Sequence, residues 1–190
     1  SSILTGLIYG SINTLLRELI NVSSPLSMEN ILKKMTEGID ATISKIADSA
    51  GRSMTALFTG IDLTTGEGVV FNSGHPHILL VDGENVKPVI SNGLPLGYGR
   101  SHELQPEFFN IAEGESLFLY TDGLTENRGP DDETLRYNQL KKVLVGNRDG
   151  EVREELLKKC KLVWKDRKSE DDCTFLIITR VEPFAVKKEA

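Results

Sequence analysis

The chain has 190 residues, of which 39% are hydrophobic and 26% are charged, and its net charge at pH 7 is −6. These proportions are typical of a globular domain with a core of its own. The acidic balance argues against a nucleic-acid-binding protein, because that activity depends on clustered positive charge. The sequence contains no uninterrupted apolar stretch of the roughly 18 residues that a membrane span needs, and we find no signal peptide. Its two cysteines, Cys160 and Cys173, form no close pair and do not have the spacing of metal ligands, so we expect a cytoplasmic protein with free thiols.

Two helices are predicted in the first 50 residues. Apolar residues recur at intervals of three and four over residues 3–20 and again over 27–47, which is the period of an amphipathic helix. Ser27 precedes the second helix and is predicted to be its N-cap, because its hydroxyl can accept a hydrogen bond from a free backbone N–H of the first turn.

From residue 53 the pattern changes to strands. Strands are predicted at 54–63, 69–72, 78–81, 86–90, 104–111, 117–121 and 173–179, and two helices at 135–146 and 150–165. The first two strands flank a T-T-G-E-G turn and predict a hairpin. The strands up to residue 90 follow one another without intervening helices, so an antiparallel meander is favoured over alternating βαβ units.

The predicted fold class is therefore α+β, with stacked antiparallel β-sheets flanked by helices. Residues 1–181 are expected to form one domain, and residues 182–190 a flexible tail.

Acidic residues follow or precede two of the predicted strands. The strand at 117–121 continues into Asp122 and Gly123, and Asp171 and Asp172 precede the strand at 173–179. If these strands are antiparallel neighbours, Asp122 and Asp171 meet at one sheet edge, where a Mg²⁺ or Mn²⁺ ion would turn the repulsion between two carboxylates into binding. Each acidic segment alone also fits a solvated turn. Spacing alone leaves both interpretations open.

Gly74 and His75 form a third candidate site, at a strand junction. Ser73 and His75 do not make a nucleophile elbow, because the G-x-S-x-G frame is absent. His75 and His77 lie between two predicted strands, and we do not expect them to chelate a metal ion together. No glycine cluster matches a phosphate-binding loop that opens a helix. A Ser/His/Asp hydrolase is therefore disfavoured, and no side chain is assigned as a catalytic nucleophile.

Four segments carry a resemblance to a known family. They are residues 71–80 (F-N-S-G-H-P-H-I-L-L), 93–97 (G-L-P-L-G), 113–127 (E-G-E-S-L-F-L-Y-T-D-G-L-T-E-N) and 171–174 (D-D-C-T). In the same order they resemble the N-A-G-H-P-P-P-L-L, G-L-P-L-G, G-D-x-L-x-L-Y-T-D-G-V-T-E-A and D-D-x-T motifs of bacterial metal-dependent serine/threonine phosphatases of the PPM superfamily, SpoIIE/RsbU branch. Four motifs in the family order, over nearly the whole chain, are far more specific than any one of them.

The resemblance implies an α-β-β-α sandwich with a pair of Mn²⁺ or Mg²⁺ ions at one end. It makes Asp122 and Asp171 metal ligands, and gives Asp172, Gly123 and His75 supporting positions. The implied reaction is hydrolysis of phosphoserine or phosphothreonine by metal-activated water, without a phosphoenzyme. The implied substrate is a phosphorylated regulatory protein of the anti-sigma-factor-antagonist type.

One departure from the family concerns its first metal motifs, G-D-x-x-D and D-x-x-G-x-G, which have no counterpart in this sequence. We therefore expect an amino-terminally incomplete family domain, whose parent protein carries the missing strands and a sensor domain upstream. The rival hypothesis is a catalytically silent regulatory module that forms a homodimer through the helix at 3–20.

Overall fold

The structure is a computed structural model that describes residues 27–47, 53–146, 149–165, 167 and 170–181. The described residues divide into two compact units, the first formed by residues 27–77 and 90–109 and the second by 78–89 and the residues from 110 onward. The predicted helix at 3–20 and the predicted tail at 182–190 lie outside the described residues.

The described part of the chain contains seven strands and four α-helices. The strands are β1 (Ala56–Ile61), β2 (Glu67–Ser73), β3 (Ile78–Val81), β4 (Val86–Val89), β5 (Glu107–Asn110), β6 (Ser116–Tyr120) and β7 (Phe175–Thr179). The helices are α1 (Met28–Ala47), α2 (Gly123–Glu126), α3 (Tyr137–Gly146) and α4 (Asp149–Trp164). Every strand and helix predicted within the described residues is present, with ends that differ by a few residues.

The first unit packs α1 on a three-stranded sheet with the order β1-β2-β5. The predicted N-cap of α1 is confirmed, because the hydroxyl of Ser27 accepts a hydrogen bond from the backbone N–H of Asn30 at 3.3 Å. The apolar face of the helix enters two small cores, in which Leu32 packs with Phe71 and Ile39 with Leu96. The predicted hairpin is also confirmed, since β1 and β2 pair antiparallel.

The second unit contains a four-stranded antiparallel sheet with the order β4-β3-β6-β7. Strand β6 lies inside this sheet, and its residues Leu117 and Phe118 are completely buried. The unit's core joins this sheet to α3 and α4, with Leu140 of α3 and Leu156 of α4 among its buried residues. The predicted fold class, two antiparallel sheets flanked by helices, is confirmed.

The prediction of one continuous meander is wrong, because β2 and β3 belong to different sheets. The chain leaves the first sheet at Gly74, whose φ of 74° is readily adopted only by glycine. Residues 75–77 then form a non-regular connection to β3.

Two other predictions concern thiols and membranes. Cys160 is buried, Cys173 is exposed, and both are free thiols as expected. None of the helices in the described segments combines the length and the apolar character needed to cross a membrane.

Candidate metal centre

The candidate site lies where β6 ends and β7 begins. These strands pair antiparallel, with Tyr120 opposite Phe175, so the end of one and the start of the other share a sheet edge. The prediction that they are neighbours is confirmed. Asp122 follows β6 directly, and Asp171 and Asp172 lie in the segment that leads into β7. The structure thus brings these three carboxyl-bearing residues to one edge.

Thr121 extends the pairing beyond the last strand residues. Its backbone N–H donates to the carbonyl oxygen of Thr174 at 2.9 Å. Its hydroxyl accepts from the backbone N–H of Thr174 at 2.9 Å and donates to the carbonyl oxygen of Asp172 at 3.0 Å. The threonine of the T-D-G segment therefore holds the acidic segment before β7 against the end of β6, a role that the sequence reasoning did not assign.

Gly123 allows the two acidic segments to approach each other closely. A Cβ atom at this position would lie 2.4 Å from the carbonyl oxygen of Asp172 and 3.3 Å from that of Asp171. The first distance is well inside van der Waals contact, so any side chain would push the segment at 171–172 away. In the structure Gly123 begins the short helix α2 and makes room for the neighbouring backbone.

The carboxylates of Asp122 and Asp171 each have one oxygen engaged locally. Oδ1 of Asp122 accepts from the N–H of Gly123 at 3.0 Å, and Oδ1 of Asp171 accepts from the N–H of Asp172 at 2.8 Å. Among the described residues, the second oxygen of each carboxylate accepts no hydrogen bond, and no lysine or arginine pairs with Asp122, Asp171 or Asp172. These oxygens remain available to a ligand.

The buried side chain of Asn127 connects the two acidic segments through hydrogen bonds to their backbone groups. It is only 2% exposed. Its Nδ2 donates to the carbonyl oxygens of Gly123 at 2.7 Å and Asp171 at 2.8 Å. Its Oδ1 accepts from the backbone N–H groups of Glu170 and Asp171, each at 2.9 Å. The sequence reasoning placed Asn127 in a motif without giving it a function.

The donor chemistry of this edge fits a hard divalent cation. Mg²⁺ and Mn²⁺ prefer carboxylate oxygens and retain several water ligands, so a few protein oxygens suffice to anchor them. In the described ranges, no cluster of three or more His, Cys, Asp or Glu residues has the arrangement of a complete metal site. Within the described residues, Asp122, Asp171 and Asp172 therefore do not form such a cluster by themselves.

Comparison with known protein families identifies the family of this chain. The family model described as stage II sporulation protein E (SpoIIE) matches residues 2–181. The chain belongs to the SpoIIE family. The resemblance of its four motifs to the SpoIIE/RsbU branch of the PPM superfamily is thereby confirmed.

Individual proteins are similar to this chain in sequence or in fold. The SpoIIE-family chain is 30% identical over 94 residues to Protein IcfG of Synechocystis sp. (strain ATCC 27184 / PCC 6803 / Kazusa), a match that covers 49% of this chain but only 15% of IcfG. Its fold is similar to that of the SiaA-PP2C domain of Pseudomonas aeruginosa, with a TM-score of 0.74, 16% identity, and coverage of 93% of this chain and 69% of that one. It is also similar to the RsbU and RsbW domains of Rv1364c from Mycobacterium tuberculosis, with a TM-score of 0.66, 23% identity, and coverage of 93% and 48%.

His75 of this SpoIIE-family chain belongs to the first unit, whereas the acidic residues of the candidate centre belong to the second. Its backbone is held by the buried side chain of Asn72, which accepts from the N–H of His75 and donates to its carbonyl oxygen, both at 2.8 Å. Its Nδ1 lies 3.1 Å from the carbonyl oxygen of Pro76. That contact is a hydrogen bond when Nδ1 carries the ring proton, and Nε2 is then an acceptor.

Asp40 is a buried acid of the SpoIIE-family chain outside the candidate centre, and the sequence pattern did not reveal it. It lies on α1, is 2% exposed, and holds the loop that contains the G-L-P-L-G motif. Its carboxylate accepts from the backbone N–H groups of Gly97 at 2.6 Å, Gly99 at 3.4 Å and Ser101 at 3.0 Å. Burial acts to raise the pKa of Asp40, but these hydrogen bonds and one from the Ser101 hydroxyl outweigh it, so the pKa is lowered.

Proposed function

We propose that this chain is part of a metal-dependent protein serine/threonine phosphatase domain. Its reaction would be the hydrolysis of phosphoserine or phosphothreonine on a bacterial signalling protein of the anti-sigma-factor-antagonist type. The observation that carries the proposal is the antiparallel pairing of β6 with β7, which places Asp122 and Asp171 at one sheet edge. Membership in the SpoIIE family supports the same assignment.

Each residue of the site has a proposed role. Asp122 and Asp171 are the metal ligands, through the carboxylate oxygens that no described residue engages. Asp172 and Gly123 support the site, the first as a neighbouring acid and the second by permitting the close approach of the two segments. For His75 a supporting role is proposed from the resemblance of residues 71–80 to the family motif alone. The cation is Mn²⁺ or Mg²⁺, with two ions expected in the complete domain.

The electrostatics of the chain make a bound cation necessary for this reaction. A chain with a net charge of −6 and an acidic site repels a phosphate group. When bound, divalent cations neutralise phosphate charge and lower the pKa of a coordinated water towards neutrality. The neighbouring residues of the chain hold the carboxylates of Asp122 and Asp171 in place. No residue of the chain is proposed to form a covalent phosphoenzyme.

The biological setting is proposed from the relatives. Because the chain spans 15% of IcfG, the activity and partners of the whole protein are inferred. A relative with RsbU and RsbW domains in a single protein supports a phosphorylated regulatory protein as the partner. We propose a cytoplasmic location and a sensor domain upstream in the parent protein, with control of sigma factors as the biological role.

The proposal is tested by measuring Mn²⁺ binding by isothermal titration calorimetry. The unsubstituted chain should bind Mn²⁺ in the micromolar to millimolar range, and the Asp122→Asn, Asp171→Asn double variant should not. The matched control is Asp82→Asn, which changes an acid whose carboxylate caps a turn of the same unit. Equal binding by the double variant and the unsubstituted chain would show that the site is wrongly assigned.

A second candidate function is a catalytically silent regulatory or dimerisation module of the same family. It is favoured by the incomplete donor set, because the described residues contain no cluster of three metal-ligating side chains. This alternative predicts no hydrolysis of p-nitrophenyl phosphate at any Mn²⁺ concentration, together with a stable dimer in light scattering. Mn²⁺-dependent hydrolysis that is lost in the double variant would exclude it.

A further inference from the structure

We propose that Asn127 is a positioning residue of the metal centre, which sets the place of Asp171 relative to Asp122. This inference rests on the proposed function, because it assigns a role within the same site. Asn127 lies just after α2, on the carboxyl-terminal side of Asp122, and its side chain reaches a segment that is more than 40 residues away in sequence. It does not itself offer an atom to the cation, since both polar atoms of the side chain are engaged with backbone groups.

The hydrogen bonds of Asn127 use the full capacity of a carboxamide. Two N–H groups are donated, to Gly123 and Asp171, and two are accepted, from Glu170 and Asp171. A carboxamide has two donors on nitrogen and two acceptor sites on oxygen. An aspartate would lack the donors, and an apolar side chain would lack both. The hydrogen bonds of this site therefore require a carboxamide side chain.

These bonds fix Asp171 at both of its backbone groups, because Asn127 binds its N–H and its carbonyl oxygen. The same side chain binds Gly123, the residue next to Asp122. The buried carboxamide of Asn127 thus binds the backbone of Asp171 and that of the residue next to Asp122. The segment that carries Asp171 is otherwise exposed, so its backbone depends on such buried contacts for a defined position.

Residues that position metal ligands affect metal affinity by a known amount. Groups that orient metal ligands without touching the metal typically change metal affinity by about 10- to 100-fold when they are removed. A residue that only stabilises the fold would behave differently, because its removal would lower the free energy of unfolding and leave the Mn²⁺ affinity of the folded protein unchanged. The two roles are therefore separable by experiment.

The experiment compares Asn127→Ala with the unsubstituted chain in two measurements. Calorimetric titration with Mn²⁺ should show a dissociation constant raised by about tenfold or more. Amide hydrogen exchange of the metal-free protein should be faster at Glu170 and Asp171, whose N–H groups lose their acceptor. The control is Ser116→Ala, at the opposite end of the β6–β7 pair, where the hydroxyls of Ser116 and Thr179 are 2.8 Å apart; it should leave the Mn²⁺ affinity unchanged.

If Asn127→Ala does not fold, Asn127→Gln replaces it, because glutamine keeps the carboxamide and displaces it by one methylene group. Its Mn²⁺ affinity should also fall. An unchanged Mn²⁺ affinity in either folded variant would overturn the positioning role and leave the proposed function standing. Absence of Mn²⁺ binding by the unsubstituted chain would overturn the proposed function, and the positioning role with it.

Discussion

Replacing Gly123 with alanine tests the close approach of the two acidic segments. The added Cβ would lie 2.4 Å from the carbonyl oxygen of Asp172, whereas ordinary contact begins at 3.4 Å, so the backbone must move by about 1.0 Å (3.4 − 2.4). Overpacking of this kind costs about 1–3 kcal/mol, and the better helix propensity of alanine offsets at most about 1 kcal/mol of it. We therefore expect a net loss of about 1–2 kcal/mol in the free energy of unfolding.

The same displacement should weaken Mn²⁺ binding by about 10- to 100-fold, because the moved backbone carries two acidic residues of the site. Urea denaturation of the metal-free protein measures the first effect, and calorimetric titration measures the second. The matched control is Gly114→Ala in the turn before β6. Gly114 has a φ of 84°, and, its two chain neighbours apart, no described residue has an atom within 4 Å of the point that a Cβ would occupy, so alanine there costs about 1–2 kcal/mol through backbone strain alone.

The comparison of Gly123→Ala with Gly114→Ala tests whether Mn²⁺ binding depends on the close approach at Gly123 or only on overall stability. Gly114→Ala should lose stability and keep the Mn²⁺ affinity of the unsubstituted chain. If Gly123→Ala also keeps that affinity, the close approach at Asp172 serves the fold and has no part in metal binding. If both variants lose affinity equally, Mn²⁺ binding reports only on overall stability, and the reasoning is refuted.

Two further predictions concern groups outside the candidate centre. Asp40→Asn should lower the free energy of unfolding at pH 7 by about 2 kcal/mol in urea denaturation, because charge-assisted hydrogen bonds to backbone N–H groups are lost. The pKa of Asp40 is lowered in the native protein. The stabilisation is therefore fully present above the pKa of an unfolded aspartate, about 3.9, and is lost as the pH falls through the native pKa. A difference in the free energy of unfolding between the two proteins that does not shrink in acid would contradict this role of Asp40. Burial raises the pKa of Cys160 to about 11, so this thiol should react with DTNB only after the protein unfolds. The exposed thiol of Cys173 should react in the native protein. Similar reaction rates for the two thiols would disagree with the structure.

The parts of the fold that depend on local pattern could be predicted from the sequence. Helix α1 follows from the apolar period and from Ser27, and its cap is where the sequence places it. The β6–β7 pair is the neighbour relation on which the predicted site depends, and it is present. Two sheets were predicted, but the point at which the chain passes from one to the other was missed, because the break at Gly74 depends on a left-handed backbone that the sequence pattern does not distinguish from a hairpin turn.

Two buried polar residues show why the rest of the site could not be predicted. Asp40 lies in an amphipathic helix, where an acid usually belongs to the solvated face, and its partners are 57 to 61 residues away in sequence. Asn127 stands where the resembled motif T-D-G-V-T-E-A ends in alanine. That departure was the one available signal, and its meaning depends on a segment more than 40 residues further along the chain.

The hydrogen bond between Thr121 and Asp172 joins residues that are 51 positions apart, and this separation has a consequence for biosynthesis. A nascent polypeptide can form β3, β4 and β6 while β7 is still untranslated, and during that interval the edge of β6 that later receives β7 has no partner in this sheet. Ordering such a distant pair also carries the entropic cost of closing a long loop. The carboxylates of the candidate centre therefore come together only after β7 has been synthesised, and a chain released before that step would lack the paired acids.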